Sequence, residues 1–474
     1  MIDSASLTGL LPEVLDVIEA RFDDTVGELV EFARIPGVSA AGFDPAEVLR
    51  SAEHVTGLLE AAGLTDVEIL RVGDAHPAAV GAWRGAGDAP TVLLYAHHDV
   101  QPPGREGYWQ SPPFEPTVRP DGRLYGRGVV DDKAGLLLHL AALRAWREVA
   151  GELPVNVILL VEGEEEIGSV HLAEFLRAYR ERLQADVIVL SDTANLATGL
   201  PSLTITLRGL VSVDVTVRAL DHPLHSGLWG GPLPDAATAL CALLGRLTNE
   251  AGEIGIPGFY DSVPELDPAV REAFASLPFD DAAFRADSGL LRGVPLSGEP
   301  GRSVYEQLWA RPALAVTALE AMPLAESANQ LIAEARARVG LRVPPGMDPE
   351  AACARLVEFL ESSPPRGVIV ETEVEACAPG WQTAPVGPAF DAARRALAAG
   401  FGRESVVIGC GGTIPFVGPF SEVLGGVPAL LLGLEDPTCN AHGENESLHL
   451  GDFRKAARAS AHLLAELARL RGGD

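Results

Sequence analysis

Cysteine is scarce in this 474-residue chain: Cys241, Cys353, Cys377, Cys410 and Cys439 are the only five, and none forms a Cys-x-x-Cys pair. An odd count without paired spacing argues against a disulfide framework and a thiolate zinc knuckle, and fits a reducing compartment. Basic residues are also short. Lys and Arg number 36 against 66 Asp and Glu, a net charge of −30, which opposes nucleic-acid binding because phosphate contacts need clustered cations. No apolar run approaches the roughly 20 residues of a membrane helix, so no membrane span is predicted. The first residues carry Asp3, Glu13, Asp16 and Glu19 without a basic start before an apolar core. That pattern is no secretory signal, and a cytoplasmic protein is expected.

A hydrophobic content of 47% with 22% charged residues describes a globular chain, and its length predicts two or three domains. Short apolar stretches at Thr91–Ala96, Val155–Val161, Asp186–Ser191 and Ala429–Gly433 read as buried parallel strands. Helical spacing at 11–34, 45–62, 132–149 and 170–182 alternates with them, a doubly wound α/β pattern. From Leu203 to Ala219 the texture changes: Val211, Val213, Val215 and Val217 alternate with Ser212, Asp214, Thr216 and Arg218, as in a strand with one wet face. A helix at 234–248, strands at 312–321 and 335–343, a helix after the Asp348-Pro349 cap and a strand at 368–376 complete a β-α-β-β-α-β order, the ferredoxin-like pattern. Helix and buried strand then return to the end. The expected organisation is a catalytic domain at 1–208 and 379–474 with a small α+β domain inserted at 209–378. Residues 249–311 show no clean periodicity and read as an excursion of the insert.

Three segments place ionisable side chains just after apolar stretches: His97-His98-Asp99, Val130-Asp131-Asp132-Lys133 and Glu164-Glu165-Glu166-Ile167-Gly168-Ser169, with Asp192 after a fourth strand. In open α/β sheets ligands bind beyond the carboxyl ends of the strands, so one pocket collects these groups. Each segment alone has a plainer reading: a polar strand end, a helix N-cap, a solvated acidic turn. Together they suit a metal-centred hydrolase, in which one carboxylate stays ionised as a ligand beside another that acts as base. His97 and Asp99, two apart on an extended segment, point the same way, so the carboxylate can fix the imidazole.

The chain resembles the M20 family of co-catalytic zinc peptidases, nearest to its carnosinase-like dipeptidase branch. The matching residues are His97-His98-Asp99-Val100-Gln101-Pro102, Gly126-Arg127-Gly128-Val129-Val130-Asp131-Asp132-Lys133, Glu165-Glu166-Ile167-Gly168-Ser169, Ser191-Asp192, His225-Ser226-Gly227, Asn329, Arg342-Val343-Pro344 and Asn440-Ala441-His442. They span essentially the whole chain. The resemblance implies an α/β zinc-peptidase catalytic domain with an inserted ferredoxin-like dimerisation, or lid, domain. It implies two Zn2+ ions, with Mn2+ or Co2+ as alternatives: His97 and Asp192 hold one, Glu166 and His442 the other, and Asp131 bridges. Glu165 is then the general base, Asp99 orients His97, and the Asp131-Asp132 peptide is expected to be cis. His225 is expected to reach the partner's active site in a homodimer, and Asn329 and Arg342 to hold a small peptide substrate.

One departure stands out. Where the branch often reads Arg-Glu-Gly-Gly-Ser-Ile-Pro, this chain has Gly409-Cys410-Gly411-Gly412-Thr413-Ile414-Pro415. Gly412 and Thr413 can still offer donors to a substrate carboxylate, but side-chain preference does not carry over. The expected activity is hydrolysis of dipeptides or short peptides. Its rivals are deacylation or desuccinylation of N-acyl amino acids and a non-catalytic metal-stabilised scaffold, the latter disfavoured by a full ligand set that keeps its base.

Overall fold

Runs of leucine and β-branched residues build the first sheet. In the structure, a computed structural model describing residues 2, 4–414 and 417–470, the strands Asn156–Glu162, Thr91–His97, Val187–Leu190 and Ala429–Leu431 lie side by side in that order and run parallel. Nearly every residue in them is buried, as in strands covered on both faces. Antiparallel strands flank them: Ala78–Trp83 and then Thr65–Leu70 on one side, Ser202–Leu207 on the other. The pair at 65–83 is absent from the sequence reading, because its inner strand, Ala-Ala-Val-Gly-Ala-Trp, lacks the β-branched enrichment that marks strands. The helix Leu450–Ala468 packs against both Lys133–Ala150 and Pro388–Phe401, and the buried Trp146 indole donates to the Ala461 carbonyl (3.1 Å).

The helix expected over 11–34 is two helices, Ser4–Ala20 and Phe22–Ala33. At Arg21 the backbone leaves helical geometry (φ −103°, ψ 9°), and Asp23 and Asp24 begin the second helix, where the dipole favours carboxylates. Lys133 is fully buried and its ammonium donates to the carbonyls of Phe32 (3.1 Å) and Ile35 (2.8 Å), tying its own helix to the end of Phe22–Ala33. Burial pushes this lysine down to about 7.

Contacts divide the chain into two compact units, Met1–Ile205 with Ala384–Ile408 and Phe416–Asp474, and Thr206–Thr383 with Gly409–Pro415. The second unit holds a four-stranded antiparallel sheet in the order Ala313–Glu320, Glu334–Val343, Gly209–Arg218, Ile369–Ala378. Numbered along the chain this is 2-3-1-4, the ferredoxin-like arrangement. Val211, Val213, Val215 and Val217 are all fully buried and pack with the helices Ala236–Leu244 and Pro349–Ser362 in this unit's core. The stretch 249–311 contains three short helices, Pro268–Ala275, Asp281–Asp287 and Val304–Ala310, capped by Asp267, Asp280 and Ser303. At two turns each they are too short to leave a period in the sequence.

Candidate active site

All four parallel strands end at one cluster in the first unit. His97 closes its strand with Glu162 beside it in register, Glu165 and Glu166 sit on the single turn after Glu162, and Asp192 follows Leu190. Asp131 arrives from the turn before the helix Lys133–Ala150, and His442 from the loop after Leu431.

Asp131 stands at the centre. Its Oδ1 is 2.9 Å from His97 Nε2 and its Oδ2 is 2.9 Å from His442 Nε2. Asp192 lies 3.8 Å from the first imidazole and Glu166 3.3 Å from the second. One carboxylate thus faces two imidazoles with opposite oxygens, and each imidazole has a further carboxylate beside it. Burial opposes the charge on Asp131, but the two imidazoles outweigh it and hold its carboxyl well below the usual range. His97 is likewise raised well above its ordinary value, the carboxylates of Asp131, Asp192 and Asp99 beside it overcoming burial. Carboxylate and imidazole are the ligands two divalent cations would take at the same points, so the residues fit a dinuclear centre. His97 Nδ1 lies 3.0 Å from the Asp99 carbonyl; donation there leaves the Nε2 lone pair for a cation.

Asp99 does more than face His97. Its carboxylate is 3.4 Å from the ring and accepts from the Ser39 hydroxyl (2.7 Å) and from the backbone amides of Glu165 (3.2 Å) and Glu166 (3.1 Å). It therefore fixes the turn carrying both glutamates. Glu166 is held further by Gln101, through its backbone amide (3.1 Å) and side-chain amide (2.7 Å). Glu165 is pushed well above the carboxylate range, first by burial and then by the charges of Asp192, Asp131 and Asp99, an environment that suits a group taking up a proton. His98 points away: its Nε2 pairs with the Pro77 carbonyl (2.8 Å) and burial lowers it to about 4. The Asp131-Asp132 peptide is cis, and Asp132 accepts from the His97 backbone amide (3.3 Å). Cys439 is buried, which pushes its thiol up to about 12 and makes it unreactive.

The remaining candidates lie in the second unit, in two groups. His225 and Asn329 meet where Leu224–His225 pairs with Gln330–Leu331, the Ser226 amide donating to the Asn329 carbonyl (2.9 Å). Arg342 donates to the Thr413 hydroxyl (2.8 Å), which donates to the Arg208 carbonyl (2.7 Å). Gly412 donates its amide to Cys410 Sγ (3.3 Å). Pro415 of that motif lies outside the described residues. Arg208, absent from the sequence reading, is lowered to about 10 by burial and by the nearby Arg342 charge.

Sequence reasoning also missed the ion pair that ties two loops of the first unit together. Glu446 accepts from Arg127 (2.6 Å) and from the amides of Gly128, Val130 and Asp131 (3.1, 3.1 and 3.3 Å). Arg127 also donates to the carbonyls of Pro102, His442 and Gly443 (3.1, 3.1 and 3.2 Å). The Asp131 and His442 loops are thereby fixed to each other, with His442 itself in left-handed backbone geometry (φ 62°). Both side chains of the pair are essentially inaccessible. Arg127→Met should therefore cost about 3 to 5 kcal/mol, because it strands a buried carboxylate, and chemical denaturation of the variant measures it.

A doubly wound sheet whose strand ends gather three carboxylates and two imidazoles around a partly buried glutamate defines a metallohydrolase. Residues 93–466 match the model of peptidase family M20/M25/M40, and the chain belongs to this family. It is 34% identical over 417 residues to the cysteinylglycine-S-conjugate dipeptidase of Corynebacterium striatum, covering 87% of this chain and 89% of that one. It is 29% identical over 475 residues to the Cys-Gly metallodipeptidase dug1 of Schizosaccharomyces pombe, covering 97% and 98%. Among solved structures, human carnosine dipeptidase 1 superposes with a TM-score of 0.83 at 27% identity, over 97% of this chain and 99% of that one. The resemblance to the dipeptidase branch, the mixed α/β fold and the metallopeptidase class all hold.

Proposed function

We propose that the protein hydrolyses dipeptides or short peptides at a two-metal centre, zinc being the expected ion and manganese or cobalt its alternatives. The observation that carries this reading is Asp131, whose two oxygens each face one imidazole, with the partly buried Glu165 alongside. His97 and Asp192 would hold one cation, Glu166 and His442 the other, and Asp131 both. Cations bound there supply Lewis acidity, easing deprotonation of the attacking water and drawing charge from the scissile carbonyl. Glu165 takes the proton from that water and returns it to the leaving amine. Asp99 keeps Glu165 and Glu166 in place through their backbone amides.

The working form is a homodimer in which His225 serves the partner's site. His225 is exposed, and its Nδ1 accepts from the Gly227 amide (3.0 Å), which leaves Nε2–H to donate outward to an oxyanion. The edge strand Ala313–Glu320 keeps Val316 and Leu319 exposed, an unpaired edge of the kind a second copy can cover. Asn329, Arg342, Gly412 and Thr413 are assigned to the substrate, Arg342 to its terminal carboxylate, for which a guanidinium is suited. All five cysteines are free, which supports a cytoplasmic location, and among the described residues no helix is long and apolar enough to cross a membrane.

The test is a panel of free-amine dipeptides against N-acetyl and N-succinyl amino acids, run before and after chelation. Dipeptides should lead in kcat/KM by roughly 10⁴-fold or more, the scale on which a site built to hydrogen-bond a substrate group rejects an analogue lacking it. Chelation should abolish turnover and added Zn2+, Mn2+ or Co2+ restore it. Preference for the N-acyl amino acids would replace the peptidase reading with a deacylase.

A further inference from the structure

Glu435 belongs to the same cluster, yet neither the metal-holding set nor the base includes it. It follows the parallel strand Ala429–Leu431, as His97 and Asp192 follow theirs, and it is partly buried. Its carboxylate lies within 4.8 Å of ligand oxygens of both Asp131 and Asp192. A β-bridge to Ala194 and a hydrogen bond from the Asn195 amide to its carbonyl (2.8 Å) fix its backbone.

What distinguishes Glu435 is its lack of a cation. Three other acids of this loop each have an arginine: Asp436 pairs with Arg123, Glu444 with Arg105 and Glu446 with Arg127. Among the described residues no hydrogen bond or ion pair reaches the Glu435 carboxylate. A partly buried carboxylate left without a counter-charge is costly unless something that binds there supplies one. Asp131, Glu166 and Asp192, with two imidazoles, already provide the donors for two cations, so Glu435 is surplus negative charge on the Asp131 and Asp192 side.

The chemistry of a peptide fits that surplus. In a dipeptide the free ammonium is two bonds from the scissile carbonyl carbon, about 2.5 Å away. A carbonyl placed against the Asp131 and Asp192 side thus carries its ammonium to within reach of a carboxylate flanking them. An N-acyl amino acid offers no cation at that point and leaves Glu435 unpaired. We propose that Glu435 reads the substrate's amino terminus, pairing with the free α-ammonium and restricting the enzyme to peptides with an unblocked first residue. This rests on the peptidase reading above.

The experiment compares the fastest dipeptide of the panel with its N-acetyl derivative, on metal-loaded enzyme. Glu435→Gln should raise KM for the free dipeptide about 10- to 100-fold, the factor a charge-assisted hydrogen bond supplies. Its kcat should change little, its metal content should not change, and discrimination against the acetylated peptide should shrink by the same factor. Equilibrium binding of the two peptides to Glu165→Gln and to Glu165→Gln/Glu435→Gln should show the same loss of discrimination without turnover. Glu435→Asp, which keeps the charge but shortens its reach, should fall between and serves if the glutamine variant folds poorly. Lost metal would make Glu435 a ligand, and equal weakening of both peptides would make it structural; either result overturns the proposal. If the wild-type enzyme acts on N-acyl amino acids and on no free dipeptide, the peptidase reading fails first and the assignment of Glu435 falls with it.

Discussion

Glu165→Gln should bind its full complement of metal and lose turnover by at least about 10²- to 10⁴-fold, the contribution of general-base catalysis. The amide is nearly isosteric with the carboxylate and keeps the backbone hydrogen bond to Asp99 (3.2 Å), but it cannot accept a proton from water. The donors assigned to the metals are other side chains, so metal content and rate should separate. Stability supplies a second readout. In the metal-free protein burial and the charges of Asp192, Asp131 and Asp99 push Glu165 well above its ordinary range. A carboxyl whose folded pKa exceeds its unfolded value, about 4.3, lowers stability as pH rises past that unfolded value. Gln cannot ionise and escapes the penalty, so metal-free Glu165→Gln should melt no lower than metal-free wild type at neutral pH. A variant with wild-type metal and a rate within a few-fold of wild type would remove Glu165 from its role.

The strand ends that carry the candidate ligands were legible in the sequence for a physical reason. Buried parallel strands are short apolar runs, and their carboxyl ends are where such sheets bind ligands, so His97, the Glu164–Glu166 run and Asp192 could be read from position, while the choice of Glu166 within that run came from the family resemblance. His442 could not: it sits in a loop eleven residues beyond Leu431, in left-handed backbone geometry, and only the family resemblance singled it out. Glu435 could have been found by the rule applied to the other strand ends, since it closely follows Ala429–Leu431, but nothing in the chain marks it as unpaired until the arginines of its neighbours are located. The pairing of Arg127 with Glu446 was invisible for a related reason. Their partnership joins positions 319 residues apart, and no local period or spacing encodes a buried ion pair. In the second unit the alternation of Val211, Val213, Val215 and Val217 exposed the strand at once, whereas the short helices of 249–311 are set by their caps rather than by a repeating apolar face.

Mixing two inactive proteins tests assembly and chemistry together. If His225 acts in the partner's site, His225→Ala and Glu165→Gln should each be nearly inactive alone and should regain activity after subunit exchange. In the mixed dimer, one site combines Glu165 from the first chain with His225 from the second, while its twin lacks both. Random exchange makes half the dimers mixed, and one site in two is then whole. Recovery should therefore approach about a quarter of wild type, as the symmetry of an isologous pair dictates. The exposed His225, with Nδ1 engaged by its own Gly227 amide, has only Nε2 to offer, so His225→Gln should recover little of what His225→Ala loses. Were His225 merely to shape its own loop, every mixed dimer would contain two damaged sites. Exchange demonstrated by mass, with no activity returning, would then leave the Glu165 chemistry standing and remove the shared site.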